Sequence, residues 1–432
     1  MNPLQMIINK VRRLEAIFPG YFEAAKHNHY ADFGWPQNVS FEQLYAMYHR
    51  NGLARAAVDK TILKTWQDDP EIWESERPTE SDLEGEIRQR FDDLQIWQAL
   101  AEADRRAMVG GYAGAILRLA DDMPFQAPVD RVRGGLDGLV EVIPTWGGDG
   151  AQLEVAEWNT DQASPDYGKP RMFRFNEAAV GQNLNQVRQF MVHPDRVLIW
   201  SRDGTVHNRS DLEPCYNDLL DAEKVKGAGG EGFYKAARGN PVLEADKDLD
   251  VRKMAEAMGV QPAEVADAMN AQVEDFQRGF DRLLMVQGMT AKTLQIALPT
   301  GDTYFNAAVN SFAASVLMPV KILLGSQTGE RASTEDAAEW AQVNNARRIK
   351  RNIPRIREFI RRMERFGVLP ERDWVVNWTD LTEASRDAKI DRAAKMAEIN
   401  AKQASDPVWL GSEIRVAAGD DSPAPDMMGT DD

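Results

Sequence analysis

Apolar positions along this chain change period twice, from helical to alternating and back to helical. Residues 41–66 carry a helical pattern, with Leu53, Ala57, Ile62 and Trp66 falling on one face. Asp69-Pro70 ends it, because proline lacks an amide donor and pushes the residue before it out of the helical basin. A second helix is predicted from Ser81, where Ser81-x-x-Glu84 has the form of a capping box, through Leu83, Ile87, Phe91, Leu94, Trp97 and Ala101 to Gly110-Gly111. Then the period changes. Residues 115–119, 139–143, 172–175 and 197–200 are short apolar or alternating runs between turn residues, and read as strands of a mostly antiparallel sheet.

Beyond residue 212 the helical period returns. Residues 212–237 form one helical candidate, weakened by glycines, and 246–284 a charged one carrying the cap signal Gln261-Pro-Ala-Glu264. Residues 293–298 read as a short strand, and 302–317 as a helix with Phe305, Val309, Phe312 and Val316 on one stripe. A Gly/Ser/Thr loop covers 325–333. A long helix follows over 334–366, opened by the cap-like Ser333-x-x-Asp336 and closed by Gly367 and Pro370. Pro354 lies inside that helix and predicts a bend within one turn of it, since it removes one helical hydrogen bond and clashes with the preceding turn. Residues 1–40 are short amphipathic pieces with aromatic interruptions. Residues 419–432 hold five aspartates and no base, a composition that predicts disorder.

Length and charge narrow the class. At 432 residues the chain has room for two to three domains, and 43% hydrophobic with 28% charged residues is ordinary for a soluble globular protein. The formal charge of −17 argues against a tight grip on nucleic acid, whose affinity comes from neutralising phosphates. A single cysteine, Cys215, allows no internal disulfide and suits a reducing compartment. Lys10, Arg12, Arg13 and Glu15 interrupt the first 18 residues, so these read as neither signal peptide nor anchor, and no run of 18 apolar residues suggests a membrane span.

Candidate chemistry is sparse. Gly227-Ala-Gly-Gly-Glu-Gly232 fits the letters of a dinucleotide loop but follows a charged helical stretch instead of a strand, so it reads as a break in a helix or loop. His27 and His29 have no further His or Cys nearby to complete a zinc site. No nucleophile elbow, phosphate loop or HExxH motif occurs, and the acidic residues show no spacing that singles out an acid/base pair. No catalytic, cofactor-binding or metal-binding residue is expected, and no cofactor. One strongly basic stretch stands out, with Arg347, Arg348, Lys350, Arg351, Arg355, Arg357, Arg361, Arg362 and Arg365 against Glu358 and Glu364, over an apolar stripe of Ile349, Ile353, Ile356, Ile360 and Met363. It fits either a DNA-facing helix or a helix packed by its stripe whose arginines, Arg347, Arg351, Arg355 and Arg362 among them, meet acidic neighbours in this subunit or the next. The acidity of the whole chain favours the second.

Four pieces, in order, resemble phage portal proteins. These are Asn51-Gly-Leu-Ala-Arg-Ala-Ala-Val-Asp59 followed by Trp66; His193-Pro-Asp-Arg-Val-Leu198; Leu212-Glu-Pro214; and Met318-Pro-Val-Lys-Ile-Leu-Leu-Gly325 with Ser-Gln-Thr-Gly329, then Ser333-Thr-Glu-Asp336 and a long helix. The resemblance spans roughly residues 41–400. The loop departs from the family in lacking its usual Ser-Pro and Asn-Ala-Thr-Gly. The resemblance implies an α+β portal fold: an N-terminal extension (1–40), a mixed α/β wing (41–211), a first stem helix (212–240), a clip (241–300), a second stem helix (301–324), a tunnel loop (325–333), a kinked wing helix (334–367), a crown or C-terminal region (368–418) and the acidic tail. It implies a ring of about twelve subunits in a capsid vertex, assembled in the host cytoplasm, with no enzymatic activity and no membrane contact. Its expected partners are the large terminase, head–tail connector proteins, the major capsid protein, and double-stranded DNA that passes without tight binding. Gln327, Thr328, Gly329, Glu330 and Arg331 would face that DNA; the alternative for this loop is an ordinary surface turn. Another phage structural protein, such as a minor capsid or head-completion protein, and a metal-dependent nucleic-acid enzyme are the competing readings.

Overall fold

The computed structural model describes residues 28–74, 80–177, 189–238, 241–245, 251–268, 271, 289–293, 301–325, 330–382, 386–403 and 408–419. It is an α+β fold in two compact units, Met1–Asn38 with Pro214–Ser315, and Val39–Glu213 with Val316–Asp432. The first described helix, α1 (His29–Phe33), belongs to the smaller unit.

The larger unit opens with α2 (Phe41–Arg50) and α3 (Gly52–Thr65). The pattern predicts one helix here, and the chain makes two. Asn51 is extended (φ −97°, ψ 119°) and its side-chain oxygen accepts from the amides of Leu53 and Ala54 at 2.9 and 3.2 Å, so it ends one helix and caps the next. After β1 (Glu71–Trp73) the same happens again. The capping box at Ser81 starts α4 (Asp82–Asp93), but Gln95, at φ 52°, separates it from α5 (Ile96–Gly110).

The sheet follows: β2 (Tyr112–Leu119), β3 (Leu139–Gly147), β4 (Leu153–Trp158), β5 (Pro170–Asn176), β6 (Gln189–Val192) and β7 (Val197–Trp200), in the order β6-β5-β4-β3-β2-β7. All four expected strands are present, and β4 and β6 were not anticipated. Pairing is antiparallel apart from the parallel β3–β4 junction, Gly147 opposite Leu153. The pleat sorts residues to two cores. Ala113, Ala115, Leu117, Leu139, Leu198 and Trp200 pack with Ile87, Phe91, Trp97 and Leu100 of α4 and α5. Ile116, Leu153, Phe173, Phe175, Val192 and Val197 form the second cluster.

In the smaller unit lie α6 (Tyr216–Arg238), β8 (Pro241–Ala245), α7 (Val251–Met258), β9 (Met289–Thr293) and α8 (Asp302–Ser315). α6 packs against α8, where the Ser311 hydroxyl donates to Asp218 at 2.9 Å. The indole of Trp35 donates to Asp221 at 3.0 Å and ties α1 to α6. Strands β8 and β9 pair antiparallel, Pro241 opposite Thr293. β9 therefore ends where the expected strand 293–298 begins, and the rest of that stretch lies outside the described residues. So do Asp246–Asp250 and residues 420–432 of the acidic tail.

The chain returns to the larger unit through α9 (Val320–Leu324), α10 (Glu330–Arg347), a π-turn (Arg348–Asn352), α11 (Ile353–Arg365), β10 (Val375–Asn377), α12 (Arg386–Lys402) and α13 (Gly411–Ala417). β10 pairs antiparallel with β1. Ile356, Phe359, Ile360 and Met363 of α11 complete the first core.

Candidate functional site

The basic stretch enters the fold through the π-turn. Proline at 354 cannot donate to the carbonyl four residues back, and its ring crowds that carbonyl. The chain answers with one extra residue per turn, and the Ile353 amide donates to the Arg348 carbonyl, five residues back. The extra residue shifts the phase of the helix upstream. Ile349, expected on the buried stripe, is 52% exposed, while Arg348, Arg351 and Asn352 turn inward and are buried. The stripe downstream holds, with Ile356, Ile360 and Met363 buried and Ile353 packed against the core.

What receives these arginines is a carboxylate the sequence reading missed. Asp104 of α5 is fully buried between Ala103 and Ala107. Arg347 reaches both of its oxygens through Nη1 and Nη2 at 2.5 Å each, the two-pronged geometry that suits guanidinium and carboxylate. Asn352 Nδ2 donates to it at 2.8 Å and the Trp66 indole at 3.0 Å. Arg351 Nε stands 3.7 Å away, and Arg351 Nη1 donates to Asp211 at 2.6 Å. Around this centre Thr65 donates its hydroxyl to Asn344 at 3.0 Å. Arg348 donates to the Thr65 carbonyl at 2.6 Å, to Asp68 at 2.5 Å and to the Thr379 carbonyl at 2.6 Å, with its guanidinium 4.4 Å from the Trp378 ring centroid. The cluster thus fastens the head of α11 to α3, α5 and the segment after β10. A lone acid among apolar positions of a helix face was its one signal in the sequence.

Burial alone would raise the Asp104 carboxyl. The charges of Arg347 and Arg351, with hydrogen bonds from Arg347 and Trp66, overcome that and hold it at about 2. Unfolded, the same carboxyl titrates near its ordinary value of about 3.9. A depressed folded value means the contribution is complete above roughly pH 4 and is lost as pH falls towards about 2, an effect of about 2–3 kcal/mol. Denaturation midpoints of the wild type are therefore expected to fall across that window, and less so in Asp104→Asn; equal pH slopes in the two proteins would count against this assignment.

The remaining bases divide. Arg362 donates to the carbonyls of Pro194, Asp195 and Val197 at 2.9, 3.0 and 2.8 Å and to Glu358 at 3.1 Å, and Arg365 pairs with Asp195. Burial pulls the Arg362 guanidinium below its usual value, with Glu358 opposing. Arg355 lies against the backbone of Gly204 (φ 76°), where an added Cβ would fall 1.9 Å from its Nη1. Lys350, Arg357 and Arg361 are exposed.

At the loop, the helix starts earlier than the cap signal at Ser333 suggests. α9 ends at Gly325, in the left-handed conformation (φ 74°), and α10 begins at Glu330. Glu330 and Arg331 thus occupy the first turn of a helix, and the non-helical connection is shorter than the expected 325–333. Good helix formers at 330–332 extend the helix past Ser333. Gln327, Thr328 and Gly329 lie outside the described residues. Gly227 to Gly232 lie within the continuous helix α6, so this stretch is neither a strand-to-helix turn nor a break. Among the described residues no group of three or more His, Cys, Asp and Glu is placed to hold a metal ion, and no helix is long and apolar enough to cross a membrane. His27 lies outside the described residues.

Comparison with known proteins gives the class. The family model for phage portal proteins matches residues 42–402, most of the chain. This chain belongs to the phage portal protein family, a structural family without enzymatic activity. Among solved structures it is similar to the neck of a native GTA particle at C12 symmetry, with 13% identity, 87% of this chain and 92% of that chain covered, and a TM-score of 0.46. It is also similar to the neck of an empty GTA particle at C6 symmetry, with 14% identity, 89% and 94% covered, and a TM-score of 0.49. The virion of the native gene transfer agent particle gives 14% identity, 89% and 94% covered, and a TM-score of 0.45. No curated protein matches the chain.

Proposed function

We propose that this chain is the subunit of a portal ring of about twelve copies, set in a capsid vertex, through which double-stranded DNA is packaged and ejected. The observation that carries this reading is the family match over residues 42–402. In it, the smaller unit supplies stem and clip, which dock the large terminase and later the head–tail connector, and the larger unit supplies the wing, seated in the shell of major capsid protein. Assembly takes place in the host cytoplasm and the finished ring resides in the virion.

The physics of the chain supports the role. A channel must let DNA slide. Twelve copies at −17 amount to about −200, and a wall of that sign repels phosphate and keeps a duplex centred. In the one strongly basic stretch, Arg347, Arg348, Arg351, Arg362 and Arg365 bond within the chain. We assign Gln327 to Arg331 to the channel wall, because this polar stretch, the crossing after α9 together with the first residues of α10, has no large apolar residue to bury. Capsids assembled without this chain are expected to hold no DNA, and capsids carrying a Gly/Ser linker in place of residues 327–331 to package or retain less of it. Full packaging without the chain would overturn the portal role; full packaging and retention with the linker would overturn the loop assignment alone.

A further inference from the structure

We propose that Lys60 is a positioning residue: its ammonium closes the C-terminal carbonyls of α9 and so fixes where the chain leaves that helix for the crossing to α10. The proposal rests on the reading of that crossing as part of the channel wall.

The end of a helix leaves carbonyls without partners. In α9 the Gly325 amide serves one of them, donating to Lys321 O at 2.9 Å. Among the described residues, Ile322 O and Leu323 O accept from Lys60 Nζ, at 2.5 and 3.1 Å. Lys60 comes from α3, 262 residues earlier in the chain than Ile322. A positive charge at this end also meets the negative end of the helix dipole. One ammonium with three donors can satisfy two carbonyls at once, and a neutral apolar side chain can satisfy neither.

The short helix needs this. Five residues do not hold a helix unaided, and Leu323 is the one residue of α9 that is buried. The same helix α3 also meets α10, where Thr65 bonds to Asn344 in the last turn of that helix. Directly between the two flanks, Lys321 Nζ stands 3.7 Å from Asp336 Oδ2. α3 therefore touches both helices that flank the crossing, and Lys60 is its contact at the end of α9.

Hydrogen exchange on the full-length protein, together with DNA retention in particles, tests this. Lys60→Met is expected to speed exchange at the amides of Leu323 and Gly325 about tenfold or more, to leave α11 unchanged and to lower DNA retention. Lys60→Arg, which keeps the charge and the donors, is expected to restore both. Lys60→Gln, able to fill one carbonyl, should fall between and serves if the methionine variant does not fold. Equal exchange in wild type, Gln and Met variants would overturn the clamp. Faster exchange with full DNA retention would leave the clamp standing and overturn the channel-wall reading of the crossing.

Discussion

Asp104→Ala is expected to destabilise the larger unit by about 3–5 kcal/mol, a large share of the roughly 5–15 kcal/mol that holds a typical domain folded. The cost is not the loss of one attractive pair. It is the stranding of Arg347, whose side chain is 11% exposed, without its carboxylate, while Arg351, 7% exposed, is left with Asp211 alone. Asn352 Nδ2 and the Trp66 indole lose their acceptor at the same stroke. Asp104→Asn should be less severe, since it keeps an acceptor oxygen. Double substitution to Asp104→Leu with Arg347→Met should recover part of the loss, because removing both charges removes the stranded one. Urea denaturation of the three variants measures this. An alanine variant within 1 kcal/mol of wild type would mean that the cluster contributes little.

Phe359→Ala is expected to cost a similar amount, about 3–5 kcal/mol, for a different reason. Phe359 is fully buried on α11, with its ring 5.8 Å from that of Phe91 on α4. Truncation leaves a cavity inside a buried cluster that also holds Ile87, Trp97 and Leu100 of the facing helices, so collapse around the gap is limited. Phe359→Leu should cost roughly half as much. A thermal midpoint for the alanine variant within a degree or two of wild type would show that α11 is not part of this core.

Much of the larger unit was legible in the sequence, and the exceptions have physical causes. Period and capping located the helices of residues 41–110 and 330–365, though not those at 320–324, 386–402 and 411–417, and the four strongest strands stood out because each carries consecutive apolar residues. Strand β4, Leu153-Glu-Val-Ala-Glu-Trp158, alternates only over its first three residues before its register shifts between Val155 and Glu157, so its signal is weaker. The breaks at Asn51 and Gln95 are decided by single residues, one a side-chain cap and the other a left-handed backbone, and leave the apolar period on either side intact. The arginine stretch was visible as a stretch. Its distribution was not, because the π-turn before Pro354 shifts the phase by one residue and puts Arg348 where Ile349 was expected. Asp104 and Lys60 had no motif to announce them. Their roles come from partners 243 and 262 residues away in sequence, which no local pattern encodes.

The central claim is that copies of this chain close into a ring around a channel. Electron micrographs of the purified full-length protein test it most directly. The account predicts class averages of about twelve-fold rings with a central hole wide enough for a DNA duplex. Monomers or closed dimers at every salt and protein concentration, with no ring in any class, would contradict it.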